Sequence, residues 1–192
     1  MSKFNTIQKI LPITLWTFKP DGLGKGVWTN VSNWTSTSAQ LNRPSDSLQA
    51  FGGDIAWSLG GVDEPAIPPS GTYKSVMPGM IRFNMSSRLF ENISSTEYPY
   101  NGGAVADGDM HYIPSFGPGG MFVAMGGGVA QFDASLDFSM LAVFDPITGN
   151  WWNQSTTGAV PIPRINFCTA GISSTNNTYE MCVYSRLQDL TD

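Results

Sequence analysis

FVAMGGGVAQFDASLDFSMLAVFDPITGNWWNQSTTGAVPIPR, residues Phe122 to Arg164, is the stretch that decides the fold. Its first apolar run ends on Gly126-Gly127 and reads as a strand. After a polar loop, LAVF reads as a second strand stopped at Phe144-Asp145-Pro146. A turn follows at Thr148-Gly149-Asn150, because Gly and Asn take the backbone conformations that tight turns need. Trp151-Trp152 then opens a third strand. These are strands two, three and four of an antiparallel meander, so the same punctuation should recur at a fixed period.

It recurs in both directions. Ile13 to Asn30, ITLWTFKPDGLGKGVWTN, reads as a third and fourth strand around Pro20-Asp21-Gly22. Leu41 to Val62 supplies a first and second strand around Gly52-Gly53-Asp54 and ends on Gly60-Gly61. After the Pro-rich loop Val62 to Gly79, GMIRFNMSSRLFENIS supplies strands three and four. There Phe83-Asn84 stands where Phe144-Asp145 stands, and Phe90 where Trp152 stands. MHYIPSFGPGGMFVAMGG opens the next unit, and RINFCTAGISSTNNTYEMCVY forms a last hairpin with Asn176-Asn177 in its loop. Phe18, Phe83 and Phe144 are spaced 65 and 61 residues apart, Trp28, Phe90 and Trp152 by 62 each, and Gly61 and Gly127 by 66. Markers agreeing this closely define a tandem supersecondary unit, with loop insertions giving the scatter. The expected organisation is a tail at 1–12, a half unit at 13–30, whole units at 41–95 and 100–155, a half unit at 161–184 and a disordered tail at 185–192. Trp16, Trp28, Trp57, Phe83, Phe144 and Trp152 are expected to fill the wedges between units.

Composition agrees with an all-β class. Only 13% of the 192 residues are charged, whereas 21 are Gly and 13 are Pro, which suits short strands joined by many turns. A net charge of -5 and a pI near 4.7 leave no basic face, so nucleic acid is not an expected partner. Cys168 and Cys182 leave two readings open, a cross-strand disulfide or a pair of buried thiols. The N-terminal MSKFNTIQKILPITLW has no uninterrupted apolar core, and no run of about 18 apolar residues occurs, so neither a secretion signal nor a membrane anchor is read here. Six Asn-x-Ser/Thr sequons nevertheless occur, at Asn30, Asn33, Asn84, Asn92, Asn153 and Asn176.

With its diglycines Gly60-Gly61 and Gly126-Gly127, its LAVFDPITGNWW and its TTGAVPIPR linker, the chain resembles the kelch-repeat β-propellers. Among them it is similar to the extracellular kelch proteins of filamentous fungi, within the galactose oxidase-like superfamily. The resemblance covers roughly residues 13 to 184. It implies a partial kelch-type propeller with two four-stranded blades and two half blades. Such propellers close with about six or seven blades, so edges are expected to stay open and self-association through them is possible. The chain is expected to be a fragment, a truncated product, or one that completes a ring with another copy. An extracellular or cell-surface location follows from the same resemblance. Asn30, Asn92 and Asn153 each fall one or two residues after a fourth-strand aromatic, where a glycan would block edge pairing. The alternative is that Asn and Ser simply suit the exit from that strand.

Chemistry is poorly provided for. His111 is the only histidine, too few for a galactose oxidase-like copper site, the alternative function, and Tyr112 faces the other side of the strand. No G-x-S-x-G elbow occurs, Asp107 and Asp109 read as a turn, and Asp63, Glu64, Asp133 and Asp137 sit in loops. No cofactor is expected. The remaining expectation is a non-catalytic module that binds a protein or glycan ligand through two long loops on one face. Tyr73 from Val62 to Gly79, and Phe132 and Phe138 exposed on Val129 to Ser139, are the candidate contact residues, unless these are merely variable surface loops.

Overall fold

The computed structural model describes residues 15–31, 44–63, 75–93, 97–129 and 134–184. The predicted tails at 1–12 and 185–192 lie outside them. The chain divides into two compact units, residues 1–41 and 42–192. The described part of the first is one hairpin, β1 (Leu15–Pro20) and β2 (Gly26–Val31), paired over six positions. Asp21 closes its turn, its Oδ1 accepting the N–H groups of Leu23 and Lys25 at 2.8 and 3.1 Å, while Gly22 and Gly24 take φ of 78° and 81°. Phe18 and Trp28 are paired across it with ring centroids 5.0 Å apart. Trp16 and Trp28, expected in a core, are 53% and 63% exposed. A two-stranded ribbon has too few neighbours of its own to bury them.

The second unit carries two four-stranded antiparallel sheets and a hairpin. Blade I is ordered β3 (Leu48–Gly52), β4 (Ile55–Leu59), β7 (Met80–Asn84), β8 (Leu89–Ile93). Blade II is ordered β9 (Asp109–Ile113), β10 (Met121–Met125), β13 (Met140–Phe144), β14 (Trp151–Ser155). The C-terminal hairpin is β15 (Cys168–Ser173) with β16 (Tyr179–Tyr184). Between the second and third strands of each blade a small hairpin is inserted, β5 (Val62–Asp63) with β6 (Ser75–Val76) in blade I and β11 (Gly128–Val129) with β12 (Ala134–Ser135) in blade II. Almost no helix occurs among the described residues, only a short 3-10 turn at Asn101–Gly103. The described residues are thus all-β, two four-stranded antiparallel sheets and two separate hairpins, consistent with the partial kelch-type propeller that the repeat implies.

Register refines the repeat. Phe83 is paired with Phe90 and Phe144 with Trp151, so Phe90 is equivalent to Trp151, not to Trp152. Alternation then sends the two tryptophans to opposite faces: Trp151 is buried, whereas Trp152, expected in the core, is 47% exposed. Phe83 is half-buried and stacks on Phe90 at 4.4 Å. The third-to-fourth turns share one device. Asn84 Oδ1 accepts from Ser87 N–H at 2.8 Å, and Asp145 Oδ1 from Ile147 N–H at 2.8 Å, as Asp21 does in the first hairpin.

Two joints hold the second unit together. Between blades I and II, Leu48, Trp57, Leu59 and Met80 meet Phe122, Ala124, Ala142 and Phe144 in one buried cluster. Trp57 meets the Phe144 ring edge-on at 5.0 Å. Between blade II and the C-terminal hairpin, Ile113, Val123, Met125, Phe138 and Phe167 form a second cluster against Tyr179, Met181 and Val183. The diglycines lie at these joints. Gly60, Gly61, Gly126 and Gly127 all have positive φ, and a Cβ on Gly126 would stand 2.7 Å from the Phe167 ring of the following unit.

A backbone row with no counterpart among the repeat markers runs through the joints. Asp46, Asp107 and Asn166 are non-glycine residues with φ of 56°, 59° and 53°, each just before the first strand of its unit. Asp107 N–H donates to Asp46 C=O and Asn166 N–H to Asp107 C=O, both at 2.8 Å. Asp and Asn tolerate this conformation better than other side chains, which was the available signal.

Candidate interaction face and blade joints

In a four-stranded meander the second-to-third loops and the blade-to-blade linkers gather at one end. Backbone bridges Ser45 to Val62 and Ala106 to Gly128 tie each inserted hairpin to the linker entering its own blade. Tyr73 and Phe132, two of the predicted contact residues, lie outside the described residues. Phe138 is corrected: it is 4% exposed and sits in the second joint. Its ring packs on Phe167 at 5.5 Å, with the Arg164 guanidinium carbon 6.0 Å from its centre. An apolar side chain at the base of a hairpin, facing the next unit, is buried by that unit, which local sequence does not reveal.

Charge near the base is held in place by hydrogen bonds. Asp137 accepts from the hydroxyl and N–H of Ser139, which lowers its pKa below the ordinary carboxylate value. Burial raises the Tyr100 pKa, and the Asp137 charge adds to the rise. Tyr98, deeper and packed edge-on to Trp151 at 4.9 Å, is raised further by burial and then by Tyr100. Neither phenol is set up as a proton donor at neutral pH.

Among the described residues, exposed apolar side chains occur on the linker from blade II to the C-terminal hairpin. Val160 and Ile162 are 40% and 60% exposed and alternate with Pro161 and Pro163. Proline fixes φ, so the segment presents both side chains with little freedom left to lose.

A separate cleft of about 290 Å³ lies beside the first joint, lined by Trp57, Met80, Ile93, Glu97, Phe144 and Asn150. Trp57 Nε1 is buried without a hydrogen-bond partner, and Arg82 lies over its ring at 5.8 Å. Glu97 is the only ionisable residue in this lining, so nucleophile and base do not converge there.

His111 belongs to the second joint. Thr169 donates its N–H and its hydroxyl to Asp109 Oδ2 at 2.7 and 2.8 Å. With its proton spent, the Thr169 oxygen accepts from His111 Nδ1 at 3.0 Å, and Nε2 accepts from Tyr179 OH at 2.8 Å. Asp109 is thus a strand residue clasping the next unit, not part of a turn. Tyr112 points the other way, as alternation requires, and donates to Gly119 C=O at 3.0 Å. Both nitrogens of the single histidine are engaged by neutral hydroxyls, so these residues do not fit a copper centre of the galactose oxidase type. Among the described residues no group of three or more His, Cys, Asp or Glu side chains converges.

Both readings of the cysteines are corrected. Cys168 and Cys182 are exposed free thiols. Cys168 is paired with Tyr184 and Cys182 with Ala170, so the two are diagonal neighbours, wider apart than directly opposed residues.

The predicted sequons fall at distinct places. Asn30, Asn92 and Asn153 are exposed on β2, β8 and β14, and Asn176 is exposed in the last hairpin turn. Asn84 is the half-buried turn residue described above, and Asn33 lies outside the described residues.

No family model matches the chain. It is similar to a kelch repeat-containing protein of Arthroderma benhamiae, 34% identical over 74 residues, which is 38% of this chain and 11% of that protein. This chain thus spans a small part of its relative, and the likeness supports kelch-like repeats.

Proposed function

We propose that the chain is a non-catalytic interaction module of a secreted or cell-surface protein and docks a protein partner on the face carrying the inserted hairpins. The observation that carries this reading is the proline-stiffened Val160-Pro161-Ile162-Pro163, which holds two exposed apolar side chains on the linker from blade II to the C-terminal hairpin. Small preorganised apolar surfaces bind with a low ordering cost. The kelch-like repeats and the lack of fit to a copper site support the non-catalytic part of the reading.

The test is capture from the source organism's culture medium and cell-wall extract by immobilised chain, with a Val160→Asp/Ile162→Asp variant alongside. The expected result is a partner held by the parent chain and lost by the variant, with thermal unfolding unchanged. Equal capture by both would sink the use of this face. Retention of glycans on an array, in place of a protein, would assign the face to carbohydrate.

A further inference from the structure

Three sequons occupy one and the same position of the blade. In the first hairpin Phe18 is paired with Trp28 and Trp16 with Asn30. In blade I Phe83 is paired with Phe90 and Ile81 with Asn92; in blade II Phe144 is paired with Trp151 and Ala142 with Asn153. The asparagine is therefore two residues beyond the fourth-strand aromatic in all three units, within WTNVS, FENIS and WWNQS. All three asparagines are exposed.

β8 and β14 are the outer strands of their sheets, and β2 is the second strand of its ribbon. An outer strand offers unpaired backbone groups, and proteins usually blunt such edges with charge, proline or bulges. Here those devices are scarce. β2 and β14 contain no charged residue and no proline, and β8 has only Glu91, which is paired with Arg82 at 3.3 Å. Apolar side chains are meanwhile exposed on all three, Trp28, Leu89 and Trp152 at 63%, 53% and 47%. What the strands have in common is an acceptor asparagine.

We propose that Asn30, Asn92 and Asn153 are N-glycan acceptors at one equivalent position of their units, each covering the outer edge of its own sheet; this rests on the secreted reading above. The donor is a lipid-linked oligosaccharide pyrophosphate. The asparagine Nδ2 gives up one proton and bonds to the anomeric carbon. The carbon–oxygen bond to the lipid pyrophosphate breaks, and the pyrophosphate leaves with that electron pair while the proton passes to base.

The whole chain, placed behind a cleavable leader in a glycosylating yeast, provides the test. Released glycans would be mapped with peptide-N-glycosidase in heavy-oxygen water. All three asparagines should be converted to labelled Asp, and N92Q or S94A, and N153Q or S155A, should each remove one glycan's mass. The triple N30Q/N92Q/N153Q variant should elute several-fold more as aggregate at equal concentration. A secreted chain with these asparagines unmodified would overturn the assignment of these acceptors. Equal monodispersity of the triple variant would overturn their role at the edges. Because the leader is supplied, finding the natural chain only in the cytosolic fraction would instead refute the secreted reading.

Discussion

Gly126 and Gly22 both have positive φ, yet only one is hemmed in. A Cβ at Gly22 would meet nothing within 4 Å, whereas at Gly126 it would stand 2.7 Å from the Phe167 ring. Gly22→Ala should therefore show backbone strain alone, about 1 kcal/mol. Gly126→Ala should lose about 1–3 kcal/mol more, since either the ring or the backbone must move. Urea denaturation of both variants checks this, and equal losses would contradict the packing described for the diglycine. Trp57 offers a second contrast at this scale. Trp57→Ala should lose about 3–5 kcal/mol by leaving a cavity against Phe144. Trp57→Phe should lose clearly less, because the partnerless Nε1 goes with the indole.

At the scale of elements, the β13–β14 turn is tied by one carboxylate. Asp145 Oδ1 accepts from Ile147 N–H and Oδ2 from the Thr148 hydroxyl, which holds its pKa below the ordinary 3.8. A depressed folded value means that its stabilisation is present above the unfolded value and is lost as pH falls through the folded one. Amides of the β13–β14 turn should accordingly lose exchange protection below about pH 3.8, and in Asp145→Ala that acid-dependent step should be absent. The second element-scale prediction concerns the Asp109–Thr169 clasp. Thr169→Val keeps the shape but removes the hydroxyl between Asp109 and His111, and should loosen the C-terminal hairpin by about 1–3 kcal/mol. Hydrogen exchange should rise in β15 and β16 and leave β3–β4 unchanged.

Elements were the most legible part of the sequence, because their signals are local. Turn residues such as Pro20-Asp21-Gly22 and the apolar run of β10 closed by Gly126-Gly127 mark strands without reference to anything distant. Faces were harder. Adjacent Trp151 and Trp152 look equivalent in a string, and only register assigns one to the joint. Phe138 looks like a loop aromatic until the following unit covers it, and Cys168 and Cys182 look alignable until pairing sets them diagonally. The clasp joins residues about sixty positions apart, and no period points to it.

For the molecule as a whole, the two joints of the second unit differ in kind. The first is apolar and aromatic, whereas the second adds a chain of hydrogen bonds through Asp109, Thr169, His111 and Tyr179 to its apolar cluster. Units that touch only their neighbours have stabilities set by each joint, so the joints can be addressed separately. Salts excluded from protein surface, such as sulfate, should strengthen the first more than the second, and mild cooling should weaken it more. Near-ultraviolet spectra of Trp57 against exchange in β16 would follow the two, and identical responses would refute the distinction.

The row from Asp46 through Asp107 to Asn166 is one half of a two-way stitch. In it each donor belongs to the later unit and each acceptor to the earlier one, whereas Gly61 N–H to Val105 C=O at 2.7 Å and Gly127 N–H to Arg164 C=O at 3.2 Å cross the same joints the other way. Each joint is therefore fastened from both sides, and a unit can leave its neighbour only by orphaning a donor and an acceptor of its own at once.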